Sequence, residues 1–169
     1  MGYLEDLREV IKIHEFQIAL NKEFFRRNQF DFSLEELGGN KEHYSREFKG
    51  KIEEYTILQL WTIFERHLFE LTDQYIRRNQ DEGTVRYAIE GKIAEKIERW
   101  SLGEILDLYK IIIDPDTVGM IKQIKRYRDW LVHKNPRKAS PGKISYEDTY
   151  IYLSEFLNSI KSDLSRLVK

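Results

Sequence analysis

Arg128, Asp129 and His133 fall within one short amphipathic stretch, IKQIKRYRDWLVHKNPRK, running from Ile121 to Lys138. A guanidinium that cannot shed its proton, a carboxylate and an imidazole are together the groups that metal-free cleavage of an RNA phosphodiester requires. The ribose 2′-hydroxyl must lose a proton, the departing 5′-oxygen must gain one, and the charge gathering on the phosphate must be neutralised. His133 titrates near neutrality and can serve as base or acid, while Arg128 can grip a phosphate bidentately. Asp129 lies four residues before His133, so helical winding stacks the carboxylate over the ring, where it would hold the imidazole and favour its charged form. One histidine cannot be base and acid at once. Two copies of the segment across a two-fold axis would supply both and bring Arg128 of one chain towards His133 of the other. Tyr127 and Trp130 flank the arginine and are candidate stacking faces for bases, or else packing residues.

Wound at about 100° per residue, Ile121, Ile124, Leu131 and Val132 form one apolar arc, and Arg128 falls near its centre. A guanidinium on that face calls for a carboxylate, a set of carbonyls or a wet cleft holding an anion. Arg128 and His133 lie about 140° apart on the ideal helix, so they converge only at its frayed end or between copies. Asn135-Pro136 sets that end, because the residue before a proline is pushed out of the helical region.

The elements that must carry this stretch are helical by pattern. Leu4, Leu7, Ile11, His14, Ile18 and Phe25 stripe a first helix over Tyr3 to about Arg27, with His14 read as a core histidine with a hydrogen-bond partner. Ser33-x-x-Glu36 is a capping box for a short turn, and Gly38-Gly39 ends it. Phe48, Ile52, Tyr55, Trp61, Phe64, Leu68, Leu71 and Tyr75 mark a long central helix over Lys41 to about Asn79. Glu65 shares its stripe and is a candidate partner for Arg128; pairing with Arg66 or Lys51 is the alternative. His67 and His43 read as surface residues. Val85 to Trp100 is amphipathic, Ser101-x-x-Glu104 is a capping box for Leu102 to Ile113, and Asp114-Pro115 opens the helix bearing Arg128. Ser145 caps the last helix, whose seam runs from Tyr146 to Leu167. The pattern predicts an all-α fold, an antiparallel bundle of four to five helices.

At 169 residues, residues 1–169 are expected to form one domain, with a core of real size. The chain has no cysteine, which excludes disulfides, thiolate metal sites and cysteine nucleophiles. Asp, Glu and His do not fall at metal-ligand spacing, so neither a metal nor a cofactor is expected. The sequence has no long apolar run and its N-terminus is unlike a signal peptide, which points to a soluble, cytoplasmic protein away from membranes. Formal net charge is only −1, yet residues 122–143 carry eight cations against Asp129 alone. Lys125, Arg126, Lys134, Arg137 and Lys138 are therefore candidate RNA- or phosphate-binding residues.

Arg128-Asp129-Trp130-Leu131-Val132-His133 resembles the R-x4-6-H motif of HEPN domains, all-helical ribonuclease and nucleotide-binding modules in which a polar residue often follows the arginine. The motif's place near the end of a late helix, and the segment WTIFERHLFEL in the long helix, are similar to that family too. The resemblance implies Arg128 and His133 as the catalytic pair, with Asp129 as the polar residue after the arginine. It also implies a homodimer with a composite cleft, metal-independent endoribonuclease activity on RNA, and a role in toxin-antitoxin or anti-phage systems, often beside a nucleotidyltransferase-type antitoxin. The rival reading is a non-catalytic helical module binding RNA, nucleotide or a protein partner, with Arg128 held in an ion pair by Glu65.

Overall fold

A computed structural model of the chain describes residues 2–27, 41–78, 101–133 and 139–166. Among these it is all helical: α1 (Tyr3–Arg26), α2 (Lys41–Arg78), α3 (Leu102–Leu108) with a 3-10 turn over Tyr109–Ile111, α4 (Pro115–His133) and α5 (Tyr146–Arg166). The expected turn at Ser33-x-x-Glu36, the Gly38-Gly39 stop and the helix over Val85 to Trp100 lie outside the described residues.

The helix starts are set by local chemistry. Ser101 Oγ accepts from the Glu104 backbone N–H at 3.3 Å while Glu104 accepts from the Ser101 N–H at 2.7 Å, which closes the capping box of α3. Asp114 accepts from the Thr117 N–H at 3.0 Å ahead of Pro115, and Ser145 accepts from the Asp148 N–H at 2.9 Å. Each cap satisfies amides that the first helical turn leaves without partners.

Side-chain bonds fix the helix directions. Asp6 meets His67, His14 meets Thr56, and Asn21 meets the Ser45 carbonyl, so α1 and α2 run antiparallel. Tyr3 donates to Asn158 and the His14 ring lies on Tyr146, so α5 is also antiparallel to α1. The main core gathers Leu7, Trp61, Phe64, Leu106, Ile121 and Phe156, with their neighbours, from all five of these helices. A second, smaller cluster of Ile57, Tyr127 and Leu131 sits under the last turns of α4, covered by Leu58, Trp130, Ile144 and Tyr146. Two residues expected on the buried stripe of α2 face outwards instead: Phe48 is 55% and Tyr55 53% exposed.

His14 is the core histidine its pattern predicts. Thr56 Oγ1 donates its one proton to the Ile52 carbonyl at 2.8 Å, so the bond between His14 Nδ1 and Thr56 Oγ1, at 2.9 Å, is donated by the ring. Burial lowers the His14 pKa below its ordinary value, against the opposing pull of nearby carboxylates led by Glu53. The sign follows: the unfolded chain binds more protons below about pH 6.5, so this contribution is full above that pH and shrinks as pH falls towards the depressed value. Melting temperature is expected to decline from pH 7 to pH 5, and His14→Asn, which keeps an amide donor near the Nδ1 position, to flatten that decline.

Candidate functional site

The sequence singles out the last three turns of α4, and the buried face of the helix narrows as it reaches them. Val118, Ile121, Ile124, Tyr127 and Leu131 are buried, but Val132, which helped define the expected apolar arc, is 50% exposed. Arg128 consequently stands at the edge where the core ends rather than inside it. Its side chain is 31% exposed. Nη1 donates to Asp129 Oδ1 at 3.0 Å. The expected pairing with Glu65 does not form, and neither alternative does: Arg66 pairs with Asp6, and Lys51 with Glu54.

Asp129 departs from its expected role as well. Its other oxygen accepts from Lys125, one turn earlier, at 2.6 Å, so the carboxylate looks back along the helix and does not hold the His133 ring. The reason is electrostatic. Lys125 and Arg128 are permanent cations within reach of the same carboxylate, and two charge-assisted bonds outweigh one to an exposed imidazole at the helix end. Partial burial pushes the Asp129 pKa up, but the bonds from Lys125 and Arg128 more than offset it, leaving the carboxyl below its ordinary range. The result is a row of two cations steadied by one anion, which fixes where the guanidinium sits.

His133 is the last residue of α4 and is exposed, with no hydrogen-bond or ion-pair partner among the described residues. Both ring nitrogens are open to a ligand. Arg126 is exposed beside this row, whereas Lys134, Arg137 and Lys138 lie outside the described residues. Tyr127 is only 4% exposed and belongs to the smaller core cluster. Trp130 stacks on it, with ring centroids 6.2 Å apart and planes 11° from parallel. Of the two aromatics, Trp130 alone retains surface for a base, and Tyr127 serves as its backing.

A second polar cluster escapes the sequence pattern. His67, read as a surface residue, has a side chain only 12% exposed and lies between two carboxylates: Nε2 is 2.8 Å from Asp6 and Nδ1 is 3.0 Å from Glu70. An ionised carboxylate only accepts, so a ring nitrogen that carries a proton donates to the carboxylate it faces. The hydrogen bond from His67, opposed by desolvation and helped by the charges of His67 and Arg66, holds Asp6 below the usual carboxylate range. Glu70, three residues on, is the one local signal of this arrangement; Asp6 comes from another helix. The cluster borders a cleft of about 260 Å³ that Tyr3 and Lys161 also line. With both nitrogens committed, His67 fastens the start of α1 to α2, whereas His133 has no partner among the described residues.

Among the described residues no three His, Asp or Glu side chains converge to hold a metal, and no helix is long and apolar enough to cross a membrane. No protein-family model, curated protein or solved structure matches the chain.

Proposed function

We propose that this chain is a HEPN-type, metal-independent endoribonuclease that acts as a homodimer. The observation that carries the reading is the presence, on one helix end, of a partly exposed Arg128 steadied by Asp129 and an exposed His133 that has no partner among the described residues. A structural arginine would be expected to end on a buried carboxylate of another helix; Arg128 instead shares its neighbour's carboxylate and keeps donors for a ligand.

In this mechanism Arg128 binds the scissile phosphate and neutralises the charge of the pentavalent transition state. His133 of one chain accepts the 2′-hydroxyl proton as that oxygen attacks phosphorus, and His133 of the second chain gives a proton to the departing 5′-oxygen. The products are a 2′,3′-cyclic phosphate and a 5′-hydroxyl, with no net change in protons. Lys125, Arg126 and the following basic residues Lys134, Arg137 and Lys138 attract the backbone, while Trp130 offers a stacking edge. Asp129 acts through Arg128, as a positioning residue. An enzyme of this kind working in the cytoplasm fits a toxin or anti-phage component restrained by a cognate partner, for which a nucleotidyltransferase-type antitoxin is the form implied by the resemblance.

The test is incubation of mixed RNA with purified protein, chelator present, comparing wild type with His133→Ala. Wild type should generate 2′,3′-cyclic phosphate ends, and the variant, folded to the same degree by circular dichroism, should lose about 10²–10⁴-fold in rate. Undiminished cleavage by the variant would remove His133 from the mechanism. RNA binding without cleavage by the folded wild type would turn the reading to a binding module.

A further inference from the structure

The seat beneath the Arg128/His133 end of α4 is built against a buried histidine. Ile57, Tyr127 and Leu131, the small cluster under those turns, are covered by Tyr146, and the Tyr146 ring lies on the His14 imidazole with centroids 3.8 Å apart. His14 is 3% exposed, and its Nδ1 donates to Thr56, the residue before Ile57. The imidazole therefore meets the seat twice, through the Tyr146 ring and through the stretch of α2 that carries Ile57.

This layer closes around a neutral ring. A neutral imidazole is an apolar plate with one donor, and that donor is used. A second proton would add a charge and another N–H at Nε2 where water is excluded, which is costly unless an acceptor is supplied. The charged groups that face the ring come from all three helices around it: Glu15 on α1, Glu53 and Lys49 on α2, and Glu147 on α5. Burial outweighs the pull of the three carboxylates and lowers the His14 pKa.

The carboxylate with the strongest pull, Glu53, is already engaged. It accepts from Lys143 at 3.0 Å and lies 3.8 Å from Lys49. Lys143 and Ile144 lie in the segment that leads from α4 into α5, and Ile144 packs on the same small cluster. Either way in which a charged His14 gains an acceptor therefore acts on the seat: it draws Glu53 away from Lys143, or it leaves the Tyr146 ring for water. Tyr146 itself stays protonated, its phenol pushed up to about 12 by burial and by the bond to Glu147. The imidazole is thus the member of the stacked pair whose charge changes near neutrality.

We infer that His14 is an acid switch for the candidate site: its protonation unseats Tyr146 and loosens the last turns of α4, so Arg128 and His133 are held in place only while the imidazole is neutral. The seat is closed above about pH 6.5 and opens as pH falls through the lowered pKa of the buried ring. Control of RNA cleavage by this opening rests on the ribonuclease reading; the opening itself does not.

The test is amide hydrogen exchange of the full chain, without RNA, at about pH 7.5 and about pH 5, corrected for the intrinsic pH dependence of exchange. Wild type is compared with His14→Phe, which keeps a ring against Tyr146, and His14→Asn, which keeps a donor for Thr56; neither side chain can take up a proton. In wild type, protection over residues 127–131 should drop about tenfold for each pH unit below the lowered pKa, while residues 118–124, the half of α4 in the main core, keep theirs. In both variants the two halves should respond to pH alike, and should one variant fail to fold the other gives the same reading. Unchanged wild-type protection at 127–131, a loss shared equally by 118–124, or a loss that persists in a folded variant would each overturn the switch. No RNA enters the measurement, so a protein that opens in acid yet cuts no RNA would sink the ribonuclease reading alone.

Discussion

Arg128→Ala is expected to lower RNA cleavage by about two to three orders of magnitude, the usual cost of removing one donor aimed at developing transition-state charge. Stability should move by no more than about 1 kcal/mol, because the ion pair lost is partly exposed and Asp129 keeps its bond from Lys125. This separation matters. An arginine buried against Glu65 would have made the same substitution costly to the fold by stranding a carboxylate, at about 3–5 kcal/mol. Arg128→Lys should recover only part of the loss, since a point charge replaces a planar fork that fits two phosphate oxygens. Rates at saturating RNA alongside thermal melts check both halves: an active Arg128→Ala protein would remove the guanidinium from the chemistry, and an unfolded one would make its role structural.

The largest effect on stability is expected at Phe64. Its side chain is fully buried, with the ring tilted against Trp61 at 5.4 Å and edge-on to Phe156 at 5.6 Å. Phe156 in turn meets Tyr109 at 5.8 Å, and the Tyr109 hydroxyl bonds to Thr72 at 2.8 Å, so one aromatic chain joins α2, α5 and the 3-10 turn. Phe64→Ala empties the middle of that chain and should cost about 3–5 kcal/mol. Against a typical total of about 5–15 kcal/mol, this can be most of the margin. Urea denaturation followed by tryptophan fluorescence would read it directly, since Trp61 is a neighbour; a midpoint shift equivalent to less than 1 kcal/mol would show that the surrounding side chains collapse into the space.

What could be read from the sequence was what neighbouring residues decide together. The capping box at Ser101, the Ser145 cap, the Asp114-Pro115 helix start and the bounds of α1 and α2 depend on residues close in the chain, and they stand as expected. The core role of His14 followed from its stripe. Periodicity shows that a helix has an apolar face without saying what covers it, which is why the pattern places Phe48 and Tyr55 in the core although both are exposed. The partners of charged groups were harder still. Arg128 and Glu65 share matching positions on paper, but Arg128 found a carboxylate next door, and Asp129 chose a lysine one turn back over a histidine one turn ahead. His67 looked exposed because Asp6, which meets it, is remote in the chain. Local grammar fixes where a helix begins; competition among partners that meet only on folding decides what each charge does.

The 38 residues of α2 span about 57 Å, nearly twice the length of α5. Before Ile52 none of its residues is buried, and one bond tying this region to α1 runs from Asn21 to the Ser45 carbonyl, at 3.3 Å. The free energy of opening is therefore graded along a single helix. Its first turns and the facing end of α1 can part and re-form while the segment from Ile57 to Leu71 stays closed, so their amides exchange with solvent by local opening rather than by global unfolding. The backbone that opens at low cost therefore lies beside the exposed side chains of Leu20 and Phe48, and a helix can carry a gradient of protection with no break in its hydrogen-bond ladder.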